Sequence, residues 1–413
     1  MLKIKRVVAV SILVIIPLTI LAQNNTNSPY TRYGYGELAD RSFGAGRAMG
    51  GLGYGMRSNK QINPLNPASY TSIDSLTFIF DVGIAGQLSW FDDGINKDQH
   101  MNGNLEYAAM QFPVHQRIAL SAGVLPYSYV GYDFGSSQTS AEGIYYTERF
   151  TGRGGLNEVY AGLSIDIWKK RLSVGANAGY LFGRIVHNQL LTLGTGTTNQ
   201  SERKQSLQVN DIKLSLGIQY TQQFSADEHF TLGFAFSPAK TLNTQSSDII
   251  TNESSSDTLQ VMNQVFDLPN SFGTGISYIK QNKLTLGADF LYETWAQARF
   301  FDEKNEFKNR MRVAAGTEFI PNYQNRAFFS RVRYRAGLHY SNSYLQISNK
   351  SYNEYGVSIG LGLPLVDNRS FLNLSFEYVK IKPETRLLID EQYFRFTVNY
   401  TFNERWFFKF KVD

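Results

Sequence analysis

The sequence of 413 residues contains no cysteine, and only 18% of its residues are charged. The lack of cysteine excludes disulfide scaffolds, metal sites with cysteine ligands, and lipoproteins, which are acylated on a cysteine. The charged share lies below the usual value of about 25%. Disorder is nevertheless disfavoured, because 14% of the residues are aromatic and the net charge is only +5. The composition therefore indicates a folded chain with few charged groups.

The first 22 residues have the pattern of a secretory signal peptide. Three basic residues stand within the first six positions, residues 7–21 are apolar, and Ala22 precedes a polar run. Cleavage after Ala22 removes those three charges and leaves the mature chain at +5 − 3 = +2. A basic surface for nucleic acid is therefore not predicted. The alternative of an uncleaved anchor helix is disfavoured, because the apolar stretch is short and Pro17 interrupts it.

The mature sequence has no apolar run of the roughly 18 residues that a transmembrane helix needs. Instead, apolar and polar residues alternate over long segments, for example over residues 172–182, 212–220 and 394–402. Strict alternation predicts strands with one apolar face. These segments exceed the common strand length of about 5–6 residues and match the roughly 9–11 residues with which a tilted strand crosses a bilayer.

Fourteen strands are predicted by this alternation, over residues 77–91, 105–112, 117–132, 157–167, 171–186, 207–224, 229–241, 270–279, 283–296, 309–320, 327–341, 355–364, 369–380 and 391–402. The connections alternate between at least ten residues and at most six. A membrane barrel has short turns at one end and long loops at the other, whereas a soluble sandwich has no reason for this regularity. The sequence therefore predicts an all-β fold, a 14-stranded antiparallel transmembrane β-barrel over residues 77–402, in the outer membrane of a Gram-negative bacterium.

The last residues, 403–413, are interpreted as a C-terminal periplasmic tail. Aromatic residues and lysines alternate there, so a fifteenth strand over residues 405–412 is the alternative. Bacterial barrels of one chain have even strand numbers, which favours the tail.

Residues 23–76 do not alternate and contain eight glycines between Gly34 and Gly55. A nucleotide-binding loop is disfavoured, because neither the strand nor the helix that such a loop requires is predicted around it. A barrel of about eight strands is filled by its own side chains, while sixteen or more leave a water channel. Since fourteen strands lie between these cases, residues 23–76 are predicted to form a plug in the lumen.

The run Gly46-Arg47-Ala48-Met49-Gly50-Gly51, followed by Asn66-Pro67-Ala68-Ser69-Tyr70 and the first strand, resembles the plug of FadL-type outer-membrane transporters. The resemblance implies a fourteen-stranded barrel and passive uptake of long-chain fatty acids or other hydrophobic molecules. It assigns as plug motif residues Gly46, Arg47, Gly50, Gly51, Asn66, Pro67 and Ala68. Members of this family also resemble the shuttle of type IX secretion and barrels attached to the assembly machinery, so the motif leaves the activity open.

If the apolar residues face lipid, the residues of opposite parity face the lumen. This parity selects a lumen charge ladder on and beside the predicted strand 327–341, namely Arg331, Arg333, Arg335, His339, Glu318 and Asp289. Glu293 belongs to the same region, and Glu377 and Arg395 lie further round the barrel. Such charges can close the pore as salt-bridged rows or bind a carboxylate head group. A long charged row does not suit a hydrophobic tunnel.

Catalytic and metal sites are not predicted. Residues 356–360 match the Gly-x-Ser-x-Gly pattern but lie within an alternating strand, not at the strand–turn–helix that the pattern requires. The five histidines are scattered and form no pair at helical spacing. We therefore expect no enzyme, no metal and no cofactor, and two functions stay open.

The first function is a FadL-type channel for passive uptake of a hydrophobic or amphipathic small molecule. The second is a non-transporting plugged barrel that acts as a subunit or shuttle of an outer-membrane secretion or assembly complex. The expected partners are outer-membrane lipid, a hydrophobic ligand in the first case and complex proteins in the second, and no nucleic acid in either.

Overall fold

The computed structural model describes residues 26–168, 170–194, 200–252, 256–263, 266–300, 306–365, 369–385 and 388–405. The predicted signal peptide and its cleavage site lie outside these ranges. Residues 406–413 also lie outside them, so the choice between a tail and a fifteenth strand stays a prediction.

Fourteen antiparallel strands form the wall of a barrel. In chain order, β1 to β14 are Thr77–Asp92, Lys97–His115, Ile118–Thr139, Tyr145–Trp168, Leu172–Leu193, Gln200–Ser225, Glu228–Ser237, Ser271–Lys280, Leu284–Glu293, Arg310–Phe319, Arg333–Asn342, Tyr352–Pro364, Phe371–Pro383 and Asp390–Arg405. Each strand pairs with the next, and β14 pairs with β1 from Asp390–Asp92 to Arg405–Thr77. The sheet therefore closes, and the predicted 14-stranded antiparallel barrel is confirmed.

The two faces of the wall differ as the alternation predicts. On β12, Val357 and Ile359 expose 58% and 57% of their surface, whereas Ser358 between them exposes 1%. Large apolar side chains cover the outside of most strands in the same way. A surface of this kind is unfavourable in water and is typical of a wall that contacts lipid. No helix in the described part of the chain is long and apolar enough to cross a membrane.

Several strands extend further than predicted at the end of the barrel that carries the long loops, called here the long-loop end. The predicted strands 105–112, 157–167 and 207–224 are too short, because β2 begins at Lys97, β4 at Tyr145 and β6 at Gln200. A hairpin, Thr244–Asn252 with Ser256–Asn263, continues this sheet from β6. Beyond the apolar band neither face of the sheet meets lipid, so the sequence of a strand need not alternate there. The prediction therefore ended these strands where the alternation ends.

The opposite end, called here the short-turn end, also departs from the prediction. The predicted strand 327–341 begins too early, because Phe328–Arg331 form a short helix and β11 starts at Arg333. The connection from β10 therefore spans residues 320–332, longer than the predicted maximum of six. The prediction that Arg331 shares the lumen row of β11 is wrong for this reason. β14 also continues past the predicted end at residue 402, to Arg405.

β2 and β3 separate halfway along the wall. Their pairing runs from His115 and Ile118 to Ala108 and Val124, and no further in the described chain. β3 has an irregularity after Pro126, a residue without a backbone N–H, and residues 125–132 are all buried. β3 therefore bends into the lumen, and we call the break between residues 97–107 of β2 and 125–139 of β3 the seam.

Residues 26–73 lie against the inner face of the wall and residues 74–76 are exposed where the chain enters β1; residues 26–76 are called the plug from here on. The Ser28 hydroxyl donates to Glu391, 2.8 Å away at the long-loop end, and the Gln111 amide near the short-turn end donates to the Tyr70 carbonyl oxygen at 2.8 Å. The plug contains the two-residue strand Glu37–Leu38 and three short helical segments, Pro29–Arg32, Gly44–Arg47 and Pro67–Ser72. It therefore extends through the lumen from one end to the other.

We expect Ile359→Arg to lower the free energy of unfolding by about 2–4 kcal/mol, the cost of an arginine that faces lipid near the bilayer midplane. Urea titration of the protein in lipid vesicles, followed by tryptophan fluorescence, measures this loss. Gln346→Arg, in an exposed loop at the long-loop end, is the matched control and is expected to change stability by less than ~0.5 kcal/mol. An equal loss in both variants would contradict the assignment of the lipid-facing surface.

Candidate functional site

Ion pairs join the plug to the wall across the middle of the lumen. Those recorded among the described residues are Arg47–Glu106, Asp40–Arg312 at 3.0 Å, Arg41–Glu158 at 2.7 Å and Glu37–Arg395 at 3.5 Å. None of these side chains exposes more than 25% of its surface. Removal of one partner from a buried pair strands the other charge and is strongly destabilising. The pairs therefore hold the plug in one register against strands on different sides of the barrel.

Arg47 and Gly46 belong to the short helix Gly44–Arg47, which lies beside the wall. The helix directs the buried Arg47 guanidinium toward Glu106 of β2, a buried carboxylate. Gly46 packs against the following turn, since a Cβ at this position would lie 2.4 Å from the Leu52 carbonyl oxygen. In the plug motif, Gly46 thus allows a close backbone contact, and Arg47 supplies a charge that pairs with the wall.

Asp40 is surrounded by cations. Burial raises the pKa of its carboxyl group, but the guanidinium groups of Arg312 and Arg47 outweigh burial and hold that pKa below its ordinary value. The Ser42 backbone N–H also donates to the carboxylate at 2.9 Å. Asp40 therefore stays ionised at neutral pH although it lies inside the barrel.

Gly50 and Gly51 form the turn after this helix, with φ values of +76° and +88°. A Cβ on Gly50 would lie 2.6 Å from the Leu338 carbonyl oxygen of β11. On the wall, a Cβ on Gly337 would lie 2.1 Å from the Met49 carbonyl carbon. Both the plug and the wall therefore need glycine where their backbones meet.

Asp289 on β9 holds the next part of the plug by its backbone. Its carboxylate accepts N–H groups from Gly53 at 2.6 Å, Tyr54 at 2.9 Å and Gly55 at 3.4 Å. The prediction assigns Asp289 to a ladder of opposite charges, whereas its hydrogen-bond partners in the structure are these three amide groups. Backbone N–H groups can satisfy a buried carboxylate in this way.

Asn66, Pro67 and Ala68 fix the plug near the short-turn end. The Asn66 side chain caps the helix Pro67–Ser72 by accepting the Ala68 N–H at 3.1 Å. Its amide nitrogen donates to the Tyr54 carbonyl oxygen at 2.9 Å and to the Ile218 carbonyl oxygen of β6 at 3.2 Å. Glycines in the wall make this contact possible, since a Cβ on Gly217 would lie 2.2 Å from the Asn66 side-chain oxygen.

The wall charges on β10 to β12 pair with one another. Arg335 contacts Glu318 at 2.7 Å and Arg333 contacts the same carboxylate at 3.0 Å. His339, four residues beyond Arg335 on the same face of β11, contacts Glu354 at 3.0 Å. The structure thus brings together Arg333, Arg335 and Glu318 and leaves Arg331 in the helix outside β11. Glu377 and Arg395 lie on β13 and β14 and pair with each other at 3.1 Å.

An aromatic cluster closes the long-loop end of the lumen. Its members, called here the aromatic cap, are Tyr35, Phe266, Trp295, Phe300, Phe307 and Tyr344. Tyr35 comes from the plug, is fully buried, and stands 5.7 Å from the Trp295 ring, which is also fully buried. The Tyr35 hydroxyl donates to the Asp267 carbonyl oxygen at 3.1 Å. The plug therefore completes the cap as well as the layer beneath it that the four plug–wall ion pairs Arg47–Glu106, Asp40–Arg312, Arg41–Glu158 and Glu37–Arg395 form, called here the charged layer.

A cavity of about 140 Å³ remains between the plug and the wall. Pockets for small molecules usually measure about 300–1,000 Å³ and are mostly apolar. Charged groups line much of this cavity, including Glu37, Asp40, Arg47, Glu106, Arg312, Glu354 and Arg395. No group of three or more potential metal ligands occurs among the described residues.

Sequence reasoning missed the charges of the plug other than Arg47. Glu37, Asp40 and Arg41 stand in a glycine-rich segment without a strand pattern, so no parity rule assigns them a direction. Their wall partners Glu158 and Arg312 do have inward parity in predicted strands. Unpaired inward charges on distant strands could have indicated a charged plug between them.

Comparisons with known proteins give one matching family model and several similar structures. A family model described as BamG matches residues 2–413, and a search of curated proteins found no match. The Pseudomonas putida toluene transporter TodX is similar in structure at 14% identity and a TM-score of 0.58, over 89% of this chain and 100% of that one. The Ralstonia pickettii toluene transporter TbuX is similar at 14% identity and a TM-score of 0.57, over 89% of this chain and 99% of that one.

A FadL homologue from Pseudomonas aeruginosa is similar over 89% of this chain and 99% of its own, at 13% identity and a TM-score of 0.56. At such identities the likeness shows the fold alone. It confirms the FadL-type barrel that the plug motif predicts.

We expect Asp289→Ala to lower the free energy of unfolding by about 1–3 kcal/mol, because three plug N–H groups lose their acceptor. Urea titration measures the loss, and trypsin cleavage after Arg57 reports whether the plug has become accessible. Asp257→Ala, in the exposed hairpin, is the control and is expected to behave as the unmodified chain. Equal protease resistance of both variants would contradict the anchoring role.

The Asp40 carboxyl group also predicts a pH dependence. Because its pKa is lower in the folded chain than in the unfolded chain, its contribution is complete above the ordinary carboxyl pKa of about 4 and is lost as the pH falls below it. The difference in free energy of unfolding between the unmodified chain and Asp40→Asn is therefore expected to be constant from pH 6 to 8 and to shrink toward pH 3. A difference that grows on acidification would refute this assignment.

Proposed function

Because the chain belongs to the BamG family, and because its plug extends through the lumen from end to end, we propose that it is a plugged, non-enzymatic barrel of the outer membrane. In this role it serves as a subunit of an outer-membrane assembly or secretion complex. The single observation that carries the proposal is the block across the lumen, which consists of the charged layer and the aromatic cap.

The charged layer is unsuitable for the passage of a hydrophobic solute. The ion pairs of Arg47 with Glu106, of Arg312 with Asp40 and of Arg395 with Glu37 would have to break before the plug could move, and each stranded charge is costly. An apolar molecule offers these groups no replacement hydrogen bonds. The charges therefore support a structural role for the plug motif and the lumen charge ladder, in preference to a binding site for a carboxylate head group.

The aromatic cap, at the long-loop end of the lumen, also supports a structural role for the plug. The Tyr344 hydroxyl donates to the Gly36 carbonyl oxygen at 2.6 Å and accepts the Tyr35 N–H at 3.1 Å. The plug backbone is thus tied into the cap beside the buried Tyr35 ring. A solute that entered from the long-loop end would have to displace this packed segment.

A second function, FadL-type passive uptake of a hydrophobic or amphipathic small molecule, is favoured by a different observation. In the described chain β2 pairs with β3 only from Ala108 and Val124 onward, and a break of this kind in a barrel wall would give a small apolar molecule a route sideways into lipid. Two of the similar structures, TodX and TbuX, are toluene transporters. The groups beside the seam oppose this function here, since Glu37, Asn104 and Glu106 are polar or charged.

Transport distinguishes the two functions directly. We expect proteoliposomes that contain the intact mature chain to take up neither labelled long-chain fatty acid nor toluene above the level of empty liposomes. A chain without residues 23–70 is expected to admit small polar solutes, because its lumen then lacks the plug. Uptake of either hydrophobic probe by the intact chain would establish the second function in place of the first.

Membership in a complex is tested on native outer membranes. We expect a tagged full-length chain, extracted in mild detergent, to co-purify with at least one other membrane protein in a constant ratio. A tagged porin extracted in parallel controls for nonspecific association. A barrel that elutes alone after gentle extraction and after cross-linking would contradict the proposed role.

A further inference from the structure

Three exposed cations lie on the outward face of β4, β5 and β6, just beyond the apolar outer band. The band ends on these strands near Tyr180 and Ile212, which are paired neighbours and expose 47% and 60% of their surface. Arg184 on β5, Arg153 on β4 and Lys204 on β6 are exposed and have the same outward parity. These three residues are called the cationic ridge from here on.

The strand register places the three side chains on one patch. Arg153 pairs with Val186, two residues beyond Arg184, and diagonal neighbours of this kind lie about 7–8 Å apart in a sheet. Lys204 pairs with Asn188, two residues further along β5. The cationic ridge therefore runs obliquely across three neighbouring strands.

Few carboxylates balance the cationic ridge. Beyond the apolar band, the other outward charges in the described parts of β3 to β6 are Asp133, Arg149 and Glu202. Asp133 and Arg149 pair with each other at 2.6 Å, and no ion pair of the ridge residues is recorded in the described chain. The Arg184 Nε donates to the neutral Ser206 hydroxyl group at 3.0 Å. The patch therefore keeps a net positive charge.

Two cations on the other side of the barrel, at the same end, have acidic partners. Lys380 on β13 pairs with Asp390, and Lys97 on β2 pairs with Asp92 at 3.2 Å. Their positive charge is neutralised within the protein. The charge of the cationic ridge is instead available to a ligand.

The cationic ridge extends from the level of the lipid head groups outward. The long loops of outer-membrane barrels face the cell exterior, so the long-loop end lies at the outer leaflet. Arg184 stands four residues beyond Tyr180, which corresponds to roughly 10 Å of height on a tilted strand. Lys204 stands four residues beyond Gln208, the partner of Arg184, and so lies roughly 10 Å higher still. Phospholipid head groups add only about 5–7 Å to each side of the hydrocarbon layer, so they reach only the lower part of the ridge.

A lipid whose phosphate groups extend further from the membrane fits this height. Lipopolysaccharide, the glycolipid of the outer leaflet, carries phosphates on its acylated disaccharide and on the sugars next to it. Guanidinium groups bind phosphate through two parallel hydrogen bonds, and the Lys204 ammonium group binds it as a point charge. The exposed side-chain amides of Asn157 and Gln208 lie on the same face and offer hydrogen-bond partners to sugar hydroxyl groups.

We propose that the cationic ridge binds the phosphate groups of lipopolysaccharide, with the acyl chains of the lipid against Tyr180 and Ile212. One side of the barrel, formed by β4 to β6, thus has a specific lipid partner. This site does not depend on the proposed function, because it lies on the outer surface and involves neither the lumen nor a partner protein.

Binding of purified lipopolysaccharide to the mature chain in detergent micelles tests the proposal. Titration of fluorescently labelled lipopolysaccharide, followed by anisotropy, measures the affinity. The unmodified chain is compared with a ridge variant, Arg153→Gln with Arg184→Gln and Lys204→Gln. A matched variant, Lys97→Gln with Lys308→Gln and Lys380→Gln, also loses three positive charges, each of which has a carboxylate partner.

We expect the ridge variant to bind lipopolysaccharide at least about ten-fold more weakly, since each cation near an anionic lipid surface contributes to binding. The matched variant is expected to stay within about two-fold of the unmodified chain. A variant that keeps the charges, Arg153→Lys with Arg184→Lys, is expected to bind more tightly than the ridge variant. Heat-modifiable migration in gels verifies that all variants form barrels.

Two further probes separate the phosphate groups from the rest of the lipid. Lipopolysaccharide treated with phosphatase is expected to bind the unmodified chain as weakly as the intact lipid binds the ridge variant. Phosphatidylglycerol and inorganic phosphate are expected to displace labelled lipopolysaccharide only at concentrations at least about ten-fold above that of unlabelled lipopolysaccharide.

Unchanged affinity of the ridge variant would overturn the proposal, as would equal binding of the phosphatase-treated lipid. An equal loss in the ridge variant and the matched variant would attribute binding to net charge alone and would also overturn it. Displacement by phosphatidylglycerol or by inorganic phosphate at the concentration of unlabelled lipopolysaccharide would show a general anion site and contradict the assignment to this lipid.

Discussion

The inward polar face of the barrel is the constraint on which the rest of the structure depends. Alternation sends every second side chain of fourteen strands into a lumen too wide for those side chains to fill. Buried charges and backbone groups must then find partners. The plug supplies them, with Arg47 for Glu106, Asp40 for Arg312, and three amide groups for Asp289. The same contacts that satisfy the wall also block it.

Much of the barrel could be predicted because it depends on patterns between residues that are close in the sequence. Period-two alternation reports which face meets lipid, and the turn lengths report the topology, so the number and order of strands follow from the sequence. The extensions of β4 and β6 could not be predicted, because strands beyond the membrane carry no lipid-facing pattern. Arg331 was misplaced for a related reason, since parity was continued through residues that form a helical turn.

The site was less predictable than the wall. Gly50, Gly51 and Asn66 could be singled out by motif, but their contacts depend on wall glycines and carbonyl groups more than one hundred residues away. The pairing of Asp40 with Arg312 joins positions separated by 272 residues. Such contacts are set by the closed topology, and neither composition nor spacing in one sequence reports them.

The path of the plug bears on how the barrel is made. The plug leads directly into β1, the strand on which β14 must close, and its far end contacts Glu391 at the opposite mouth. Threading this segment through a finished barrel would require charged side chains to pass a lumen already lined with charges. Closure of the wall around a plug already in place avoids this passage, and the plug then contacts β14, one strand of the closing pair, through Glu391 and Arg395. Errors in the plug should accordingly reduce the yield of inserted barrels before they affect any property of the finished one.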